Sequence, residues 1–288
     1  MAPPGAQTLS RHTRTIAALV MAPAAIAAVL WLPSPILAAL VATVMMIGLW
    51  EWTLLVGLKQ HTSRLAYLAA NAGLMAALAW SAGRGTFPFN YVPLKLVSLL
   101  GVGWWLLALC WLSRFEWARN DSTFARVVKL VAGSLSVIPA WCALVWLHAS
   151  SPQGPAWALF ALLVVWAADS GAYFVGVRYG RRKLAPRISP GKSWEGFWGG
   201  LGLSLTLSVA AWPFLGLTLA DWPALALVTL LAALASVLGD LFESLLKRHA
   251  GIKDSSDLIP GHGGVLDRLD SLLAALPVFV VVKLWLGL

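Results

Sequence analysis

The strongest constraint on this chain is a succession of apolar runs, each near the roughly 20 residues that a helix needs to cross the hydrocarbon core of a bilayer. They fall at about 15–33, 35–57, 64–82, 92–113, 126–148, 155–178, 195–217, 222–246 and 268–288. With only 11% of its residues charged, the chain lies outside the range of soluble domains. The expected fold class is an all-α polytopic membrane protein with about nine transmembrane helices, because a chain in lipid must satisfy its backbone internally. Only Pro33-Ser34-Pro35 separates the first run from the second, and the third is rich in alanine, so eight and ten spans stay open. MAPPGAQTLSRHTRT has the basic start of a signal peptide, but the run after it continues to Trp31 and more spans follow, which predicts a retained first span.

The cations sort by loop. Alternate loops hold Arg11 and Arg14; Lys59 and Arg64; Arg114, Arg119, Arg126 and Lys129; Arg178, Arg181, Arg182, Lys183, Arg187 and Lys192; and Lys247, Arg248, Lys253 and Arg268, which is 18 of the 21 lysines and arginines. Arg84, Lys95 and Lys283 fall on the other side. The positive-inside rule then predicts a cytoplasmic N-terminus and an extracytoplasmic C-terminus. It also turns the loops near 178–195 and 247–267 towards the cytoplasm. A net charge of +9 distributed in this way reflects topology and anionic headgroups, so no nucleic-acid partner is expected. Residues 1–150, about five spans, contain few candidate groups, and residues 151–288, about four spans, are expected to form the catalytic region. In the first part Glu51 is the one intramembrane acid, and its place beside Trp50 and Trp52 near the cytoplasmic end suggests an interfacial residue in reach of water. Cys110 and Cys142 lie in apolar runs without metal-ligand spacing and read as small core residues; His12, His61 and His148 read as solvated interfacial residues. The tryptophans read as interface belts and bundle packing.

Two stretches concentrate chemistry. Residues 240–270, DLFESLLKRHAGIKDSSDLIPGHGGVLDRLD, hold Asp240, Glu243, Asp254, Asp257, Asp267 and Asp270, six of the twelve acids. Asp240, Glu243, Ser244 and Lys247 recur at helical spacing and share one face. Pro260-Gly261-His262-Gly263-Gly264 must turn, and its glycines let backbone N–H groups approach a ligand. Asp267 and Asp270 open the next run. Carboxylates interspersed with Lys247, Arg248, Lys253 and Arg268 suit Mg²⁺ and phosphate, since hard oxygen ligands hold Mg²⁺ and cations hold phosphate oxygens. Asp254 reads as a cap of the short turn and Asp257 as solvated.

The second stretch, residues 168–200, places Asp169 inside the sixth span, where an unpaired charge is expensive and calls for a cation or a metal. Gly171 and Gly176 flank Tyr173, with helix packing and function equally open. Ser189-Pro190-Gly191-Lys192-Ser193 is suited to wrapping phosphates. It is not a P-loop, because Pro186 stands where that motif needs a glycine. His262 has no partner at zinc-site spacing, and a GxSxG nucleophile elbow is absent.

Taken together, these stretches resemble the phosphatidate cytidylyltransferase (CDP-diacylglycerol synthase) family of bacterial type. Its C-terminal pattern is present here as Ser244, Lys247-Arg248, Lys253-Asp254, His262-Gly263-Gly264 and Asp267-Arg268-x-Asp270, with ADSGAYF and SPGKSWEG upstream. Ser170 and Ser193 stand where many relatives have threonine, which keeps the hydroxyl. The resemblance covers about 65 residues strongly, and before residue 150 only a matching pattern of spans. It implies that CTP reacts with phosphatidic acid in the bilayer to give CDP-diacylglycerol and pyrophosphate, with Mg²⁺ as cofactor, with or without a monovalent cation, and that the protein is a homodimer. On that reading Asp240 and Asp267 are metal ligands, Glu243 and Asp270 are additional ligands or support the ligands from behind, and Lys192, Lys247, Arg248, Lys253 and Arg268 contact phosphates. His262, Gly263 and Gly264 line the nucleotide or pyrophosphate, and Asp169, Ser193 and Ser244 complete the substrate side. Two other classes compete: a CTP-dependent polyprenol kinase or polyprenyl-phosphate sugar transferase, which would not require this signature, and a transporter or scaffold, which leaves the acids of 240–270 unexplained.

Overall fold

The computed structural model describes residues 20–83, 91–256, 258 and 263–288. His12, Arg84, Asp257 and His262 lie outside the described residues. The described helices are α1 (Val20–Trp31), α2 (Ser34–Leu55), α3 (His61–Gly83), α4 (Val92–Leu112), α5 (Thr123–Ala149), α6 (Gly154–Tyr179), α7 (Trp194–Ala211), α8 (Trp222–Ala250) and α9 (Leu266–Trp285). Seven of them, α2 to α8, are long and apolar enough to cross a membrane, so the protein is a multi-pass membrane protein. α1 is described from Val20 only, and α9 carries Asp267, Arg268 and Asp270 at one end and Lys283 at the other.

The boundaries follow from local chemistry. Proline at the start of α2 has the φ a first helical turn needs. Ser122 caps α5 by accepting from the Ala125 amide. Gly251, at φ 72°, ends α8 in the left-handed conformation. Between α6 and α7 the chain forms an antiparallel hairpin, β1 (Lys183–Ala185) with β2 (Ser189–Ser193), in which Lys183 faces Ser193 and Ala185 faces Ser189. This stretch was expected to be an irregular phosphate-wrapping loop; local pairing of two short strands is below what periodicity in the sequence can reveal.

α9 is central and packs on α2, α4, α5, α6 and α8. Pro277 lies inside it and leaves the Leu273 carbonyl without its helical donor; the Trp105 indole of α4 supplies one at 3.0 Å. Phe242 of α8 is enclosed by Trp52, Trp104, Trp105 and Trp111, with ring centroids 5.2–6.3 Å apart, so these tryptophans are bundle packing as expected. Cys142 is buried, but Cys110 is exposed, because its side of α4 faces outward. His148 is buried rather than solvated: its ring contacts the Ser34 hydroxyl at 2.9 Å and the Val29 carbonyl at 2.8 Å, where α1 and α2 meet α5.

The α6–α7 pair answers the question left open for Gly171. A Cβ there would stand 2.5 Å from the Gly199 carbonyl oxygen and 2.9 Å from Leu203 Cβ, so the glycine is a packing residue. Gly171→Val is expected to cost about 1–3 kcal/mol through overpacking, read as a lower thermal midpoint in detergent. An unchanged midpoint would show that the two helices are free to separate at this point.

Candidate active site

Four elements bring charged side chains to an open cavity of about 530 Å³. α6 brings Asp169, β2 brings Lys192 and α8 brings Asp240 and Lys247, while Asp267, Arg268 and Asp270 come from the first turns of α9. Ser193 also lines it and caps α7, accepting from the Gly196 amide at 3.1 Å. Ala172, Val177, Leu184, Phe197, Leu201 and Val237 also line it. One concavity thus offers charged groups to a polar ligand and apolar side chains to a hydrophobic one.

The charges are organised as pairs. Lys192 forms an ion pair with Asp240, which also accepts from the Ser244 hydroxyl at 3.3 Å. Lys247 lies 2.7 Å from Asp267 Oδ1 and 3.1 Å from Glu243 Oε1. Asp267 Oδ2 accepts from the Gly264 amide at 2.7 Å, the Ser255 amide at 3.1 Å and the Ser255 hydroxyl at 3.0 Å. Asp240 and Asp169 stand near enough for their charges to bear on Asp270, which is half-buried at the cavity wall. Carboxylates therefore outnumber cations on the inner side.

Not every expected residue reaches the cavity. Glu243 is buried behind it, and neither of its carboxyl oxygens has a well-aligned donor among the described residues. Arg248 is committed to the backbone, donating to the Ile188 carbonyl at 3.1 Å and the Ile252 carbonyl at 3.5 Å, which ties the hairpin to the end of α8. Lys253 is exposed beside the cavity, whereas Asp254, expected only to cap a turn, lines it. Gly263, at φ 79°, faces Asp267 Oδ2. Gly264 faces away from the cavity: a Cβ there would lie 2.0 Å from Ser255 Oγ and 2.6 Å from Glu51 Oε2. A second tie holds the hairpin from outside, where Arg187 meets Glu116 at 2.8 Å and Arg119 meets the same carboxylate at 2.9 Å. The hydrogen bond from Arg119 and the two guanidinium charges hold the exposed Glu116 carboxyl below its ordinary range.

The sequence model of the cytidylyltransferase family matches residues 12–285, from before the first described helix to the end of α9. The chain belongs to that family. Similar proteins include the phosphatidate cytidylyltransferase of Pseudomonas aeruginosa, 42% identical over 94% of this chain and 96% of the relative. That of Haemophilus influenzae is 38% identical over 92% and 96%, and that of Staphylococcus saprophyticus 38% over 66% and 69%. Family membership thus extends well before residue 150, where the sequence alone offered only a pattern of spans.

Glu51 was misplaced too. It is 1% exposed, out of reach of water, and its carboxylate accepts from the Val265 and Leu266 amides at 3.1 and 2.6 Å and contacts the Ser255 and Ser256 hydroxyls. The available signal was an acid inside an apolar run, which is costly unless it is partnered. Its partners lie more than 200 residues away in sequence, so spacing could not identify them.

Proposed function

We propose that this protein transfers the cytidylyl group of CTP to phosphatidic acid, giving CDP-diacylglycerol and pyrophosphate. The observation that carries this is one cavity lined both by paired lysines and carboxylates and by apolar side chains, in a chain whose named relatives are phosphatidate cytidylyltransferases. A lipid phosphate and a nucleotide triphosphate need cations, and a diacylglycerol needs apolar surface. The phosphate of phosphatidate is already ionised near neutral pH, so the site has little need of a strong base. Lys192, Lys247 and Arg268 would neutralise and orient phosphate oxygens so that the lipid oxygen stands in line with the α-phosphorus.

Mg²⁺ belongs to this reading. Among the described residues no three Asp, Glu, His or Cys side chains stand close enough to hold a metal by themselves. That fits an ion that keeps several waters and is completed by one or two carboxylates and substrate phosphates. One or two of Asp240, Asp267 and Asp270, which line the cavity, would hold it, with Glu243, whose buried oxygens lack aligned donors, behind them. When bound, the ion would neutralise charge developing on the leaving pyrophosphate.

We place the protein in the inner (cytoplasmic) membrane by resemblance to its bacterial relatives, with nine spans from the apolar runs, and the site at the cytoplasmic face from the lysine and arginine distribution. Residues 151–288 form the catalytic region in this reading and residues 1–150 support it; the assembly is a homodimer. The test is CDP-diacylglycerol formation by the purified protein from CTP and phosphatidate. Turnover with Mg²⁺ that chelation abolishes is the expected result. Phosphorylation of a polyprenol by CTP, with no pyrophosphate released when phosphatidate is supplied, would replace this reading.

A further inference from the structure

α9 begins without a cap of its own. Its N-cap position is Val265, whose side chain accepts nothing, yet the first amides of a helix need acceptors. Gly264 donates to Asp267, one turn on. Val265 and Leu266 donate instead to Glu51 of α2, 214 and 215 residues away in the chain. The same carboxylate takes the Ser255 hydroxyl at 3.3 Å and the Ser256 hydroxyl. Ser255 Oγ also lies 3.0 Å from Asp267 Oδ2, so one hydroxyl stands between the Glu51 and Asp267 carboxylates. Gly264 fits this arrangement, since any Cβ would occupy the space of Glu51 and Ser255.

We infer that Glu51 is a positioning residue for the reaction: a remote cap that clamps Ser255, Ser256 and the start of α9 to α2, and so fixes where the Asp267 carboxylate faces the cavity. It lines no part of the cavity and acts only through its partners. Three donors, the Val265 and Leu266 amides and the Ser256 hydroxyl, converge on it, and the Ser255 hydroxyl is shared between it and Asp267; a carboxylate accepts them all. A glutamine oxygen accepts about two, and its NH₂ group then confronts the others as a donor. A small displacement of a reacting constellation is costly; about 1 Å can remove ~100-fold.

The kinetic part of this inference rests on the cytidylyl-transfer reading, and the exchange part does not. Wild type, Glu51→Gln, Glu51→Asp and Ser255→Ala would be purified at full length in detergent. Amide hydrogen exchange at residues 264–266, thermal midpoint, kcat, and KM for CTP and for phosphatidate would be measured on each. For Glu51→Gln the expected result is exchange at Val265 and Leu266 faster by about tenfold or more. Its kcat should fall about 10–100-fold with KM for phosphatidate within about twofold, in protein still folded at the assay temperature. Glu51→Asp, which keeps the charge, should recover part of kcat. Should Glu51→Gln fail to fold, Ser255→Ala cuts the same link at its other end and should lower kcat alone. Unchanged exchange, a kcat kept at half of wild type or more, or a loss that follows the unfolded fraction and disappears on cooling would each overturn the inference. If wild type is inactive with CTP and phosphatidate, the functional reading fails and the exchange measurement still decides the clamp.

Discussion

Asp240→Asn should leave the protein at least as stable as wild type while lowering turnover by about 10²–10³-fold. The two effects have a common origin. Asp240 stands near Asp169 and Asp270, and its charge bears unfavourably on both. Lys192 is the cation that offsets it, and both side chains keep about a quarter of their surface exposed, so the pair is partly solvated and weak as a source of stability. Removing one negative charge relieves repulsion among the remaining carboxylates. In the reaction that charge is needed, because the proposed ion and the phosphates require an acid at this position. Thermal midpoint and initial rate measured on the same preparation decide the matter. A variant that turns over at the wild-type rate would remove Asp240 from the machinery, and a large fall in midpoint would show that the Lys192 pair is structural.

Lys247→Met should behave in the opposite way. Lys247 lies between Glu243 and Asp267, with side-chain exposures of only 12%, 2% and 7%. Its removal leaves two buried carboxylates without their cation, and breaking such a pair costs about 3–5 kcal/mol. The expected outcome is poor recovery of monodisperse protein and a strongly lowered midpoint. Glu243→Gln in the same background should restore part of the stability, because one of the uncompensated charges is gone. If Lys247→Met is as stable as wild type, the carboxylates have taken up protons or water, and the lysine serves the substrate alone.

These contrasting pairs show which parts of the site were legible in sequence. The i, i+3, i+4, i+7 spacing correctly put Asp240, Glu243, Ser244 and Lys247 on one side of α8, and the Asp267-Arg268-x-Asp270 run correctly placed carboxylates at the start of α9. Helical periodicity carries direction, so it predicts which residues face together. It does not carry depth, which is why Arg248 looked equivalent to Lys247 until the structure tied it to carbonyls, and why Glu243 could be expected either as an additional ligand or behind the ligands until the structure buried it behind the cavity. Gly264 was expected to admit a ligand; what approaches its bare α-carbon is Glu51, a residue no local pattern connects to it. His148 failed for the same reason, since its partners are on α1 and α2. Among the helices, the apolar runs found α2 to α8 closely, because length and hydropathy suffice for a span, and they were least informative where charge enters, at α9.

The indole of Trp105 at the Leu273 carbonyl has an evolutionary side. Pro277 removed a donor from α9, and a side chain 168 positions away in the chain now supplies it. The proline depends on the indole: Pro277→Ala would restore the helix's own bond and make the indole's donation dispensable, whereas Trp105→Phe beside Pro277 would strand the carbonyl. The two positions are expected to be inherited as a pair, so a substitution tolerated in one lineage can be harmful when moved singly into another.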